Sequence, residues 1–230
     1  MIRTIDIHTH LNKSEGLSFL VGVHSLGIHP WDLKSPFKEA EVFTKFLQLK
    51  KTFQPNMLAV GECGLDRKRE GIATLEEQLK VFEWHLDWAQ ETKRPIIIHC
   101  VKAHSDVLMI LKQKKYGGKI LMHDFAGNYF EAEKFLKFNC FFSFGARLFN
   151  EKEKAHEVIK MLPTNRIFLE TDDQIDFDIV AIYKKTQSLL GLGERELKKI
   201  MEDNLKDFFL DLDNISTADI INYLSTGKTS

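Results

Sequence analysis

The chain has 230 residues, 43% of them hydrophobic, and a formal net charge of −1. This composition suffices for the core of one globular domain, and the near-neutral charge excludes a global basic field for nucleic acid. A polyanion would therefore have to be held by a local patch or by metal ions. No apolar run reaches membrane-spanning length, and a predicted strand begins almost at the first residue, without the apolar core of a signal peptide. We therefore expect a cytoplasmic protein with no membrane partner.

The three cysteines do not form a recognisable disulfide framework. Cys63, Cys100 and Cys140 are odd in number, far apart, and each lies beside a strand-like apolar run. We predict that all three are reduced.

The first predicted strand, residues 5–11, carries three polar side chains on one face. Because side chains alternate along a strand, Asp6, His8 and His10 point to the same side. Two imidazoles two residues apart at a strand end can hold one metal ion, and the aspartate can ligate it or orient a ring. Further ligands would have to come from later strands.

Two more apolar segments end in polar residues. The run over residues 17–28 is followed by His29 and a proline, which cannot donate to a sheet ladder, so we place His29 at a strand end. A helix is predicted over 38–53. The next strand, 56–62, ends at Glu62 between two glycines, where a carboxylate has little reason to serve packing.

The rest of the chain alternates between helix and strand. A capping box at Thr74 opens a long helix, whose His85 we predict to be a core residue, and His24 is also predicted to be structural. Later strands are predicted over 94–99, 119–123, 140–145 and 166–173, and later helices over 105–115, 179–190 and 197–212. This alternation predicts right-handed βαβ units and a parallel sheet.

Ligand-type residues stand at the carboxyl ends of six predicted strands. They are His10, His29, Glu62, His99, His123 and Asp172. In a closed barrel these ends converge on one mouth, whereas an open sheet would spread them along an edge. We therefore predict an α/β fold, a TIM-type barrel of parallel strands with outer helices.

The sequence resembles the TatD family of metal-dependent hydrolases. The matching motifs, in the family's order, are Asp6-Ile7-His8-Thr9-His10-Leu11, Gly27-Ile28-His29-Pro30, Gly61-Glu62-Cys63-Gly64-Leu65-Asp66, Pro95-Ile96-Ile97-Ile98-His99, His123-Asp124-Phe125-Ala126-Gly127, Glu170-Thr171-Asp172, and Asn204 with Phe208. The resemblance implies a distorted TIM barrel of the deoxyribonuclease type over residues 1–212. Residues 213–230 would form a tail or a short helix.

The resemblance also implies a set of metal ligands. By position, the ligands would be His8, His10 and Asp172 for one ion, His99 and His123 for a second ion, and Glu62 as the bridge between them. A carboxylate can span two ions about 3.5–4 Å apart, and Asp172 could accept a proton from the attacking water. The cofactor is thus expected to be two divalent ions, Zn, Mn or Mg, with ligand softness favouring zinc or manganese. Catalytic roles fall to Asp172 and Glu62.

Three features depart from the family pattern. The segment before Gly27 is short, so one strand–helix unit is expected to be missing, leaving seven strands or an incomplete wall. Lys102 stands where the family tends to have arginine, which keeps the charge but loses the bidentate fork. Asp173 adds negative charge after Asp172, which disfavours a polyanion.

Other residues near the predicted mouth are candidates for substrate binding. By the resemblance, His29 would touch the scissile phosphate, and His104 could do so from a helix entry. The basic run that begins at Arg67 is either solvated or in contact with a substrate backbone. Trp31 and Phe125 either stack a base or serve packing.

Three functions remain open from the sequence. The first is a metal-dependent phosphodiester hydrolase, a deoxyribonuclease acting on single-stranded DNA ends. The second is a phosphomonoesterase or another metal-dependent hydrolase of a small substrate, although amidohydrolases typically place a carboxylated lysine where Glu62 stands. The third is a non-catalytic metal-binding protein. The partner would be DNA or a small phosphoester, and the sequence does not define an oligomeric state.

Overall fold

The computed structural model describes residues 3–11, 16–54, 57–69, 71–209, 212 and 215–226. Within these residues the strands are Ile5–Thr9 (β1), Leu17–Leu20 (β2), Ser25–Leu26 (β3), Ala59–Asp66 (β4), Ile96–Val101 (β5), Ile120–Met122 (β6), Cys140–Phe144 (β7) and Ile167–Leu169 (β8). The α-helices are Glu39–Thr52 (α1), Leu75–Thr92 (α2), His104–Gln113 (α3), Tyr129–Phe135 (α4), Ala155–Met161 (α5), Ile179–Leu190 (α6), Glu194–Phe208 (α7) and Thr217–Thr226 (α8).

All strand pairs are parallel, and the strands follow one another in chain order. β3 to β8 form a six-stranded sheet, and β1 and β2 form a separate pair. Isolated bridges join the two sheets, Thr9 to Asp172 beside β8 and Val21 to Ser25 beside β3. The arrangement is TIM-barrel-like, as predicted, although its ladder is interrupted at these two places and does not form one continuous closed sheet.

The strands are buried along nearly their whole length because helices and the barrel interior cover both faces. Every residue of β1, β2, β4 and β7 is buried. The three cysteines are buried and unpaired, as predicted. Among the described residues, none of the helices combines the length and hydropathy that crossing a bilayer requires.

Of the two predicted alternatives, seven strands is wrong, because the described residues contain eight strands, whereas an incomplete wall agrees with the interrupted ladder. The turn over residues 21–24 joins β2 and β3, and seven residues separate β1 from β2. Parallel strands usually need a crossover of a dozen residues or more. Within the described residues, no crossover helix lies between β1 and β3.

Helix α8 packs against β2 on this side of the barrel. Ile220 and Leu224 are 2% and 3% exposed. His24 accepts a hydrogen bond from the Leu20 amide at Nδ1, so its Nε2 carries the proton and donates to the Tyr223 carbonyl at 3.2 Å. A short helix is therefore present in the segment predicted as a tail or helix, while the division of the chain at residue 212 stays a prediction.

Strand β4 extends beyond its predicted end, so Glu62 lies within the strand instead of at its last position. The ladder to β5 shifts register between Val60 and Cys63. A Cβ on Gly61 would stand 2.5 Å from the Ile97 carbonyl oxygen, and one on Gly64 would stand 2.1 Å from that of His99. The two glycines thus allow β4 to lie close against β5 on both sides of Glu62.

The core histidine His85 connects helix α2 to the segment that carries His29. Its Nε2 accepts the Ile28 amide at 2.9 Å, and its Nδ1 donates to the Val81 carbonyl at 2.8 Å. Burial lowers the pKa of His85 from 6.5 to about 4. The ring is therefore neutral in the folded protein and structural, as the sequence predicted.

This lowered pKa predicts a loss of stability in acid. Below pH 6.5 the unfolded chain binds a proton at residue 85 that the folded chain refuses until about pH 4. The contribution of His85 to the free energy of unfolding is therefore complete above pH 6.5. It is smaller by roughly 2–3 kcal/mol at pH 4.5. Urea unfolding of the chelated protein and of His85→Gln at pH 7.5 and 4.5 measures it. We expect the stability gap between the two proteins to narrow by that amount, and a constant gap contradicts the prediction.

Candidate metal centre

The carboxylate of Glu62 lies at the centre of a cluster of imidazoles. Its side chain is 4% exposed. Five ring nitrogens lie 2.8–3.4 Å from its oxygens, and they belong to His8, His10, His29, His99 and His123. The side chains come from β1, β4 and β5 and from the segments that follow β1, β3 and β6, so the barrel brings together residues 115 positions apart in the chain (123 − 8).

The two oxygens of Glu62 divide these imidazoles into two sets. Oε2 faces Nε2 of His8 at 3.3 Å and Nε2 of His10 at 3.4 Å. Oε1 faces the other three rings, at 2.8 Å from His123 Nε2, 3.0 Å from His29 Nε2 and 3.1 Å from His99 Nδ1. One carboxylate therefore serves two groups of nitrogen donors.

Asp172 joins the His8 and His10 set. Its Oδ1 lies 3.6 Å from Nε2 of each histidine. Backbone hydrogen bonds tie it to β1, because the Asp172 amide donates to the His8 carbonyl and the His10 amide donates to the Asp172 carbonyl. The left-handed φ of 51° at Asp172 accompanies this close connection between the end of β8 and β1.

The charges of the cluster are strongly coupled. Burial acts to raise the pKa of Glu62, but the charge of His123 and hydrogen bonds from the surrounding histidines hold it well below its ordinary value. The pKa of His10 is raised, chiefly by its hydrogen bond to Glu62. The pKa of Asp172 is raised by burial and by the charge of Glu170. Glu62 is thus an anion, while Asp172 binds a proton more readily than an ordinary aspartate.

Two outer carboxylates flank two of the three histidines in the Oε1 set, His99 and His123. Asp66 Oδ2 lies 3.4 Å from His99 Nε2, and Glu170 Oε1 lies 3.7 Å from His123 Nδ1. Each ring therefore has Glu62 at one nitrogen and an outer carboxylate at the other, which fixes ring orientation and favours a free lone pair on the inner nitrogen. Neither residue was predicted to have a role, although each is an acidic residue at the end of a strand and lies within a recognised motif.

Asp6 makes structural hydrogen bonds to Thr171. Its Oδ1 accepts the Thr171 amide at 3.0 Å, and its Oδ2 accepts the Thr171 hydroxyl at 2.7 Å. Thr171 precedes Asp172, so Asp6 holds the end of β8 against β1. The strand pattern left open whether Asp6 ligates a metal ion or orients a ring.

His29 differs from the other histidines in its hydrogen bonds. Its Nδ1 accepts the Trp31 amide at 3.1 Å, which places the proton of the neutral ring on Nε2. That nitrogen then donates to Glu62 Oε1 at 3.0 Å. Burial lowers the pKa of His29, so the neutral ring is favoured. A protonated Nε2 is a hydrogen-bond donor, which is the property expected of a phosphate contact.

The donor set fits divalent metal ions. Ligand atoms on a tetrahedral ion at about 2.1 Å are about 3.4 Å apart, close to the 3.3–3.6 Å spacings around His8, His10, Glu62 and Asp172. His8 is fully buried, yet neither of its ring nitrogens makes a hydrogen bond within the part of the chain described. Groups able to hold an ion are His8 with His10 and Asp172, His8 with Glu62 and His123, and His29 with Glu62 and His99.

A model of the family described as TatD related DNase matches residues 19–210. The chain belongs to this family. The family predicted from the ordered motifs is therefore confirmed, and the cluster around Glu62 is the candidate metal centre of a TatD protein.

Curated relatives of this TatD chain carry names of nucleases and metal-dependent hydrolases. The 3'-5' RNA nuclease TATDN2 of Homo sapiens is 38% identical over 124 residues, 51% of this chain and 16% of that protein. The uncharacterized metal-dependent hydrolase YabD of Bacillus subtilis is 34% identical over 152 residues, 64% of this chain and 57% of that protein. The 3'-5' ssDNA/RNA exonuclease TatD of Klebsiella pneumoniae is 32% identical over 152 residues, 64% and 55%. The matches span little more than half of the bacterial relatives.

Solved structures agree on the fold. YjjV, a TatD homologue from Escherichia coli, superposes with a TM-score of 0.77 at 20% identity, over 91% of this chain and 98% of that one. A TatD family hydrolase from Entamoeba histolytica gives a TM-score of 0.68 at 19% identity, over 80% and 73%. These likenesses show the fold alone, and they support the TIM-barrel-like arrangement.

Three predicted substrate contacts of this TatD chain lie apart from the Glu62 cluster. The Arg67 guanidinium makes two hydrogen bonds to Asp106, at 2.8 and 2.9 Å. His104 Nδ1 lies 3.5 Å from Glu131, and its ring packs against aromatic side chains. Lys102 is exposed. Their roles in substrate binding stay predictions.

The two candidate stacking aromatics have different surroundings. Phe125 is 2% exposed and packs among His104, Phe142 and Phe144, so the packing alternative applies to it. Trp31 is only half-buried and lines a cavity beside the cluster.

Proposed function

We propose that the chain is a metal-dependent phosphodiester hydrolase, a deoxyribonuclease acting on DNA ends. The observation that carries the proposal is the division of Glu62, whose two oxygens face separate sets of imidazoles. Two divalent ions, when bound, would supply Lewis-acid activation of water and neutralise charge on the phosphoryl oxygens. The imidazole-rich donor set favours zinc or manganese over magnesium.

The proposed assignment of ligands follows the two sets. The residues are His8, His10 and Asp172 on one side, His99 and His123 on the other, and Glu62 between them. Asp66 and Glu170 would hold the second pair of rings from outside. The inner nitrogens of His99 and His123 lie 3.1 Å apart, which supports a common ligand for both.

Asp172 is the proposed proton acceptor. Its side chain is 24% exposed, so water can reach it. Burial and the charge of Glu170 raise its pKa, and a carboxylate with a raised pKa takes up a proton more readily. The proton of the attacking water would move to the Asp172 carboxylate, beside His8 and His10.

His29 is the proposed phosphate contact. With its proton on Nε2, the ring would exchange its hydrogen bond to Glu62 for one to a phosphate oxygen. The Trp31 amide at Nδ1 keeps the ring in this tautomer throughout. His29 would therefore orient the scissile phosphate without being a metal ligand.

Nucleic acid as the substrate rests on the relatives. Those named above include an exonuclease on single-stranded DNA and RNA and an RNA nuclease. The net charge of −1 gives no general attraction for polyanions, so binding would depend on the metal centre and its close surroundings.

Cleavage of end-labelled single-stranded DNA by protein loaded with Mn, Zn or Mg tests the proposal. Matched single-stranded RNA and a phosphate monoester serve as alternative substrates, and Asp172→Asn is the inactive variant. We expect metal-dependent shortening of the DNA, with at least a 100-fold loss in Asp172→Asn, the lower range for removing a catalytic proton acceptor.

The other outcomes separate the alternatives. Shortening of RNA alone moves the assignment to a ribonuclease, and turnover of the monoester alone moves it to a phosphomonoesterase. Metal binding without cleavage of any substrate favours the non-catalytic metal-binding protein. Undiminished cleavage by Asp172→Asn contradicts the role of Asp172 as proton acceptor.

A further inference from the structure

A cavity of about 320 Å³ adjoins the metal centre. His10, His29 and Glu62 line it on the cluster side, and Gly22, Ser25 and Leu26 line it from the β2–β3 turn and strand β3. Trp31 also borders it. Ligand pockets are about 300–1,000 Å³, so this one has room for a single small group and not for several nucleotides.

Trp31 is held in place from several sides. Its Nε1 donates to Asp66 Oδ2 at 2.7 Å, its amide donates to His29, and its carbonyl accepts from Lys34 Nζ at 2.6 Å. The Arg69 guanidinium lies 4.1 Å from the ring centroid. A fixed indole backed by a guanidinium offers an aromatic surface whose ordering costs nothing further when a ligand arrives.

Asp66 fixes the residues on the Trp31 side of the cavity. One oxygen accepts the indole, and the other accepts the amides of Lys68 at 2.7 Å and Arg69 at 3.1 Å. Burial acts against it, but the hydrogen bonds from His99, Trp31 and these amides lower the pKa of Asp66. The same carboxylate therefore positions the ring of His99 and the Trp31–Arg69 pair.

We propose that this cavity binds the terminal nucleoside of a nucleic-acid strand, with its base stacked on Trp31. The inference rests on the proposed function for the neighbouring phosphate, which His29 and the metal centre would hold. An aromatic surface and an adjacent phosphate site are two features that nucleotide binding requires. The small volume makes the site selective for a strand end.

Tryptophan fluorescence measures nucleoside binding without turnover. The probe is deoxyadenosine 5'-monophosphate in Mg²⁺ buffer, and 2-deoxyribose 5-phosphate is the matched ligand without a base. The chain has three tryptophans, of which Trp84 and Trp88 lie on α2. We expect quenching by the nucleotide, absent in Trp31→Leu and retained in Trp84→Phe. Isothermal titration calorimetry, which does not depend on the indole, should give at least about 10-fold weaker nucleotide affinity in Trp31→Leu.

A second measurement uses oligonucleotides that end in a base or in an abasic tetrahydrofuran residue. Wild-type protein should remove the base-bearing end about 10-fold faster, and Trp31→Leu should remove both ends equally fast. Circular dichroism confirms that each variant is folded. Equal rates on both ends in the wild type, or nucleotide affinity unchanged in Trp31→Leu, overturn the proposal. Nucleotide binding without cleavage of any oligonucleotide contradicts the proposed function and leaves the nucleoside site standing.

Discussion

Replacing Glu62 with glutamine is expected to lower metal-dependent hydrolysis by about 10³-fold or more, beyond the 10–100-fold typical of losing an outer residue of a metal site. The amide has one oxygen and an NH2 group that cannot ligate a metal. Whichever way it turns, one of the two sets of imidazoles that face Glu62 loses its anionic partner. Initial rates on single-stranded DNA and metal content by mass spectrometry measure both effects.

A second variant separates the effect of the carboxylate's charge from the effect of its position. Glu62→Asp keeps the carboxylate but withdraws it by about 1.5 Å, the length of one C–C bond. Because the carboxylate must contact both sets at once, we expect this variant to bind less metal and to lose most activity despite its unchanged charge. The control is Glu133→Gln on the exposed surface of α4, which should retain wild-type rate and metal content. Wild-type metal content in Glu62→Gln would contradict the bridging role.

The melting temperature gives a further comparison between the wild type and Glu62→Gln. An ion that binds the folded protein alone raises the melting temperature by mass action. Addition of Zn or Mn to the chelated wild type should therefore raise its melting temperature, and the rise should be much smaller in Glu62→Gln. An equal rise in both proteins would place the stabilising ion elsewhere.

The sequence was most informative where a polar side chain interrupts an apolar pattern. His8, His10, Glu62, His99 and Asp172 stand at or within strands that are otherwise apolar, and a parallel barrel must bring such positions to one end. Convergence of these residues could therefore be predicted without a structure. The roles of the individual atoms could not, because they depend on distances of a few tenths of an ångström.

The outer carboxylates show what a linear pattern leaves out. Asp66 and Glu170 are acidic residues at strand ends, as Asp172 is, and composition alone does not separate a ligand from a residue behind it. Only the register shift of β4 and the orientation of the His99 and His123 rings separate them. The tautomer of His29 likewise depends on the Trp31 amide, which is two residues away in sequence but whose position depends on the turn.

The short segment before Gly27 misled the strand count for a physical reason. A missing strand–helix unit was inferred because the segment is shorter than the family pattern, although parallel strands usually need long crossovers. β2 has four residues, β3 has two, and a tight turn joins them, so both strands fit without a helix. The apolar surface that crossover helices would cover still has to be buried, and that requirement points to α8.

Removal of residues 215–230 is expected to destabilise the protein by roughly 3–6 kcal/mol. Ile220 and Leu224 are almost fully buried, and burying such a side chain contributes about 1.5–3 kcal/mol each. The loss would also uncover β2 and remove the partner of His24 Nε2. A loss of this size is a large part of the 5–15 kcal/mol typical of a domain. Urea unfolding in chelator compares the truncated and full-length chains.

Point variants test the same contact without removing the helix. Ile220→Ala and Leu224→Ala should each cost about 2–5 kcal/mol, whereas Thr217→Ala on the exposed start of α8 should stay within about 0.5 kcal/mol of wild type. Because β2 pairs with β1, which carries His8, Ile220→Ala and Leu224→Ala should also bind metal more weakly. Wild-type stability in both would show that α8 is an appendage, whereas the expected losses would make it part of the barrel wall beside the metal centre.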